Sequence, residues 1–128
     1  MFGRKKIESF DLVTVRFSTM RAVYEWEIVP KGECCEISEY GLAHTGTNRV
    51  LQRKGACPLP EMIALFNECR LLSWDGFFGK HPRHVTDGTA FSLQGTVNGR
   101  SVRADGSQNF PKGYREFVAA VGGMLKEE

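Results

Sequence analysis

Asp87–Leu125 reads DGTAFSLQGTVNGRSVRADGSQNFPKGYREFVAAVGGML, and its first half decides the fold class. Asn98-Gly99 is the strongest short hairpin signal, because a two-residue type I′ turn needs positive φ at both positions. A loop of that length sets Val97 opposite Arg100, Gly95 opposite Val102, Leu93 opposite Ala104 and Phe91 opposite Gly106. Side chains alternate along a strand, so these pairs share one face. That face carries Phe91, Leu93, Val97, Val102 and Ala104. The other carries Ser92, Gln94, Thr96, Ser101, Arg103 and Asp105. Such a division belongs to an antiparallel sheet covered on one side. After the polar loop Gly106–Asn109, Pro111 opens an amphipathic helix with Tyr114, Phe117, Val118, Val121 and Leu125 on its apolar face. Gly122-Gly123 would cost about 1 kcal/mol per glycine inside it, so the helix either frays there or admits a close neighbour.

Upstream, Phe10–Phe17 and Ala22–Val29 read as a first hairpin. A loop centred on Thr19-Met20 pairs Phe17 with Ala22, Val15 with Tyr24 and Val13 with Trp26, leaving Thr14, Arg16, Glu25 and Glu27 on the opposite face. Pro30-Lys31-Gly32 is a turn signal. Cys34–Tyr40 is a third strand with Cys35 and Ile37 facing the core, and Arg49–Arg53 is a short fourth. Pro58 and Pro60 then precede a helix. Met62, Leu65, Phe66, Cys69 and Leu72 recur on it at helical spacing and read as a buried stripe. The order is ββββ-α-ββ-α. It predicts an α+β, two-layer domain: an antiparallel sheet with two helices packed on one face and a polar face turned outward.

Asp87–Leu93, the Asn98-Gly99 turn and Gly106-Ser107-Gln108-Asn109-Phe110-Pro111 leading into the last helix resemble small uncharacterised α+β domains of bacteria, especially gut anaerobes. Such families carry the label of domains of unknown function. The resemblance spans the C-terminal third. It implies the fold and a bacterial origin, and it brings no activity, catalytic residue or cofactor.

The chain has 128 residues, which suits a single domain over residues 10–128 behind a flexible N-terminus at 1–9. A domain of this size buries roughly two-thirds of its unfolded surface, so neither a disulfide nor a metal is needed to hold it. With 17 basic and 15 acidic residues, the net charge of +2 argues against a dedicated nucleic-acid partner, which calls for a basic excess on one face. No apolar run reaches membrane-spanning length, and no apolar stretch follows Arg4-Lys5-Lys6 as a signal peptide requires. A soluble, cytoplasmic protein is expected. Cys34, Cys35, Cys57 and Cys69 then read as free thiols in a reducing compartment.

The least regular stretch is Ser73–Gly88, a connection long enough to suggest function. Trp74, Phe77 and Phe78 beside Lys80, His81, Arg83 and His84 form a candidate aromatic-basic patch for an anionic ligand, a peptide, or single-stranded nucleic acid held by stacking. The structural alternative is that these rings plug the open end of the sheet–helix sandwich. His81 and His84 have the spacing of a histidine pair, but Pro82 opposes a helical arrangement and no Cys-x-x-Cys accompanies them. Cys34 or Cys35 with His44 is the one thiol–imidazole pairing close in sequence, and nothing else assembles a catalytic site around it. Glu25 and Glu27 read as solvated charges on the outer face. The expectation is a non-enzymatic binding or protein-interaction module for a small ligand or a protein, without a cofactor. The alternatives are a small enzyme built on Cys34/Cys35 with His44 or on a His81/His84 metal site, and a module that self-associates through a sheet edge or the polar face.

Overall fold

A computed structural model describes residues 6–19, 23–42, 49–79, 90–107 and 110–127. Strands β1 (Phe10–Ser18), β2 (Val23–Lys31), β3 (Cys34–Leu42) and β4 (Arg49–Pro58) form an antiparallel meander. Helix α1 (Leu59–Glu68) and a 3₁₀ turn (Leu71–Trp74) follow, then the two-residue strand β5 (Phe78–Gly79). Strands β6 (Ala90–Val97) and β7 (Arg100–Ser107) make the terminal hairpin, and helix α2 (Tyr114–Met124) leads into β8 (Lys126–Glu127). The six long strands and two helices reproduce the ββββ-α-ββ-α order. They lie in one continuous sheet, ordered β5-β7-β6-β1-β2-β3-β4-β8. The two short strands add to its edges, β5 parallel to β7 and β8 antiparallel to β4. The chain therefore crosses from β4 at one side to β6 beside β1, and α1 lies on that path.

The terminal hairpin has the register that its turn dictates, with Val97 opposite Arg100, Leu93 opposite Ala104 and Phe91 opposite Gly106. Asn98 and Gly99 take φ of 52° and 74°, as a type I′ turn requires. The first hairpin is displaced from its expected register. Val15 faces Trp26 and Phe17 faces Tyr24, a slip of two residues along β2. Because the side-chain period is two, the slip leaves every residue on its expected face. It sets Val13 against Ile28 and Arg16 against Glu25, whose carboxylate lies 3.1 Å from the guanidinium. Cross-strand pairs of these kinds are what stabilise a register.

The apolar face is covered by both helices. Phe66 of α1 meets Phe10 at 4.8 Å between ring centroids and Phe117 of α2 at 6.0 Å, while Phe17 packs edge-on to Trp26. Met62, Phe66 and Cys69 are buried as the helical spacing predicts. Helix α2 begins at Tyr114, three residues after Pro111, because Gly113 at φ 91° turns the chain into it. A Cβ on Gly113 would lie 2.4 Å from the Cys69 carbonyl oxygen, so the two helix ends meet there through glycine alone. The helix continues through Gly122-Gly123 without fraying, and nothing stands within 4 Å of a Cβ at either position.

The packed domain begins before Phe10. Ile7 is buried in the core, and segment 6–9 is held from two sides by carboxamides. Asn67 accepts the Ile7 N–H at 2.8 Å and donates to its carbonyl oxygen at 3.1 Å. Asn98 accepts from the N–H groups of Glu8 and Ser9 and donates to the Lys6 carbonyl at 3.0 Å. Residues 6–9 thus lie as a strap across one end of the sheet, and residues 1–5 of the start expected to be flexible lie outside the described residues.

Candidate binding pocket

A cavity of about 740 Å³ opens between that strap, the C-terminal end of α1, the 3₁₀ turn and the edge of β7. Its size lies within the ~300–1,000 Å³ of ordinary small-ligand sites. Phe66, Leu71, Val102 and Ile7, all buried, form its apolar floor. Lys6, Arg70, Arg100 and Lys112 stand on its rim, and all four are exposed. Asp75 is the one carboxylate among the lining residues, and it already accepts the Arg103 backbone N–H at 3.0 Å. None of the four cations forms an ion pair with a described residue.

Arg70 owes its place to a strained backbone. It follows the end of α1 with φ 57° and ψ 48°, the left-handed conformation that usually calls for glycine. The conformation is braced locally. The Arg70 N–H donates to the Asn67 carbonyl at 3.1 Å, and the Arg70 carbonyl accepts from both the Ser73 N–H and the Ser73 hydroxyl. The 3₁₀ turn is in turn anchored by Trp74, whose indole N–H bridges the carbonyls of Cys69 at 3.2 Å and Lys112 at 2.9 Å. That bridge fixes Arg70 on one side of the cavity and Lys112 on the other.

Two further polar clusters lie on the sheet. On the open face Glu25, only 8% exposed, takes Arg16 on one side and Arg49 at 3.3 Å on the other. Arg49 also reaches Glu27 at 3.0 Å and lies over the Tyr40 ring at 3.9 Å. These charges satisfy one another, and the cavity beside them, of about 200 Å³, is small. On the helix-facing side, Glu39 shares the parity of Cys35 and Ile37 and is 5% exposed. It accepts the Trp26 indole N–H at 3.1 Å and a two-pronged contact from Arg53, one prong at 2.9 Å. The Arg53 guanidinium holds the Glu39 carboxyl below its usual range, against the opposing effect of burial. Burial, aided by the Glu39 charge, raises the nearby Tyr24 phenol.

The residues singled out from the sequence distribute unevenly. Trp74 is fully buried and meets Phe117 edge-on at 5.5 Å, and Phe77 is half-buried against Phe91. Both rings lie in or against the core. Phe78 contributes its backbone to β5. Lys80, His81, Arg83 and His84 lie outside the described residues, as does His44. Ser73 and Asp75, from the start of the same segment, do line the large cavity. All four cysteines are free. Cys35 stands directly opposite Cys57, and burial with that neighbour pushes its thiol up to about 12, so it stays protonated at neutral pH. Among the described residues no group of three His, Cys, Asp or Glu side chains could hold a metal ion, and no helix is long and apolar enough to cross a membrane.

No protein-family model matches this chain, and comparison with curated proteins finds no match. The site therefore stands on its own geometry.

Sequence reasoning missed Lys6, Arg70, Arg100 and Lys112. They come from four separate segments, and only the packing of α1, α2 and β7 brings them together. Periodicity gave no warning of Arg70, because the apolar stripe runs past it to Leu72 while the helix itself ends at Glu68.

Proposed function

We propose that this domain is a non-enzymatic binding module and that its ligand carries an anionic group on an apolar body. The observation that carries this reading is Arg70. A left-handed arginine is a poorer helix terminator than glycine, and strain of this kind gathers at functional sites. Here the strained residue stands on the rim of a cavity of about 740 Å³, beside three more cations and without an acidic partner among the described residues. Phe66, Leu71 and Val102 below would take the apolar part of the ligand, and Arg70 and Arg100 its charge. The setting is a pocket with a few charged groups over an apolar floor, which suits recognition rather than acid–base or nucleophilic chemistry.

Titration of ¹⁵N-labelled protein with phenyl phosphate, an anion on an apolar ring, tests the reading. Resonances of Arg70, Ser73, Arg100 and Val102 should shift together and saturate, and Arg100→Glu should weaken binding at least tenfold. Shifts confined to the polar face, or binding unaffected by Arg100→Glu, would remove the pocket as the site.

A further inference from the structure

The edge of β7 forms one wall of the pocket, and its hydrogen-bonding pattern is known from the hairpin. A two-residue turn makes Val97 and Arg100 a hydrogen-bonded pair, and such pairs alternate with non-bonded ones along an antiparallel ladder. Ser101, Arg103 and Asp105 therefore direct their backbone N–H and C=O groups away from β6. The chain itself uses two of these three. The Arg103 N–H donates to Asp75, the Arg103 carbonyl accepts the Gly76 N–H at 2.9 Å, and the Asp105 N–H donates to the Phe77 carbonyl at 2.9 Å. Residues 75–79 thus lie along the edge as an added strand, ending in the parallel pairing of Phe78-Gly79 with Asp105-Gly106. Before Asp75 the chain turns away into the 3₁₀ helix, so the edge is uncovered at Ser101. There the N–H and C=O find no partner among the described residues and open into the pocket.

We infer that the occupant of this pocket is an acidic peptide segment, bound in extended form as an additional strand against Ser101. The inference rests on the anion-binding reading above and specifies its ligand class. An unpaired edge offers main-chain hydrogen bonds, and alternate side chains of an added strand point to opposite sides. One side meets the apolar floor at Val102 and Leu71. Arg100 has the same strand parity as Val102, so an acidic side chain two positions along on that same side meets Arg100 and Arg70. Charge decides between this occupant and a second copy of the chain joined edge to edge. Two β7 edges paired about Ser101 would set the Arg100 side chains of both copies diagonally on one face, whereas an acidic segment neutralises Arg100 and Arg70.

The test uses the full chain and a pool of blocked pentapeptides with Glu at either the second or the fourth position, Val, Leu or Phe at the other of those two, and Ser at the remaining three. Two counterpart pools carry backbone N-methyl groups on alternate amides, one pool in each register, and phenyl phosphate is the small-anion probe. Strand addition predicts that the parent pool slows exchange of the Ser101 amide by roughly tenfold or more. It also predicts that one N-methylated pool loses at least tenfold in affinity while the other keeps it, because only alternate amides face β7. If both N-methylated pools bind like the parent, or phenyl phosphate binds and the peptides do not, the strand inference falls and the anion pocket stands. If neither peptides nor phenyl phosphate perturb Arg70 and Arg100, both readings fall. A stable dimer in solution with Ser101 protected without any peptide would assign the edge to a second copy and overturn the inference.

Discussion

Glu39 shows what a single residue can carry in this fold. It occupies a core-facing position of β3, yet it is charged, and Trp26 and Arg53 supply the hydrogen bonds that make its burial tolerable. Glu39→Gln retains the shape and removes the charge that faces Arg53, while Arg53→Met removes the cation from a buried carboxylate. Removing the cation beside a buried carboxylate costs about 3 kcal/mol, so Arg53→Met should unfold at clearly lower denaturant concentration, and Glu39→Gln by a smaller margin because Arg53 is partly exposed. The pH dependence has a definite sign. The folded carboxyl titrates below its ordinary value of 4.5, so its contribution is complete above that value and is lost as pH falls through the folded one. Acid titration of the wild type should therefore show a loss of stability below about pH 4.5 that is diminished in Glu39→Gln; identical acid profiles would refute the assignment. The cysteines make a second test at this scale. Exposed Cys34 should react first with a maleimide, and Cys35, with its thiol raised to about 12, should react last. Strand parity sets Glu39 on the same face as Cys35 and Ile37. The parity was legible in the sequence, but the identity of its partners required the neighbouring strands.

The elements themselves were largely legible. In β6 and β7 the turn chemistry, the alternation and the pairing agree, and the observed register follows. In the first hairpin alternation identified both faces, but a longer connection does not set register, and cross-strand partners displaced it by two residues. The strap at 6–9 was not legible, because Lys6-Ile7-Glu8-Ser9 has no period and its order comes from Asn67 and Asn98 far along the chain. Asn98→Gly separates the two roles of that residue. Glycine serves a type I′ turn equally well but offers no carboxamide. The hairpin should persist while the Glu8 and Ser9 amides lose exchange protection; unchanged protection would show that Asn67 alone holds the strap. Gly123 is exposed and helical, with open space at its Cβ, so Gly123→Ala should stabilise the domain by about 0.5–1 kcal/mol in chemical denaturation. Gly113→Ala should destabilise it by more than that, since it forces a Cβ onto the Cys69 carbonyl at a positive φ.

At the scale of the whole molecule, the crossing from β4 to β6 sets the site. It carries α1 over the sheet and returns the chain beside β1, which leaves β7 outermost of the long strands and places Arg70 and Lys112 in one cavity with Arg100. Strand order of this kind cannot be read from periodicity, so a pocket assembled from four distant segments stays hidden in the sequence even when each segment is assigned correctly. The segment Ser73–Gly88 stood out for its aromatic content, yet Trp74 serves the pocket indirectly, by pinning the two helix ends that present its cations. The central claim is that Arg70 is kept at a strained position for its charge. Thermal unfolding of wild type and Arg70→Gly, each with and without phenyl phosphate, tests it most directly. Relief of the left-handed strain should make Arg70→Gly more stable by about 0.5–1 kcal/mol, a rise of roughly 2–5 °C in Tm, and should abolish most of the stabilisation by the anion. An Arg70→Gly protein no more stable than wild type, and stabilised by phenyl phosphate to the same extent, would contradict it.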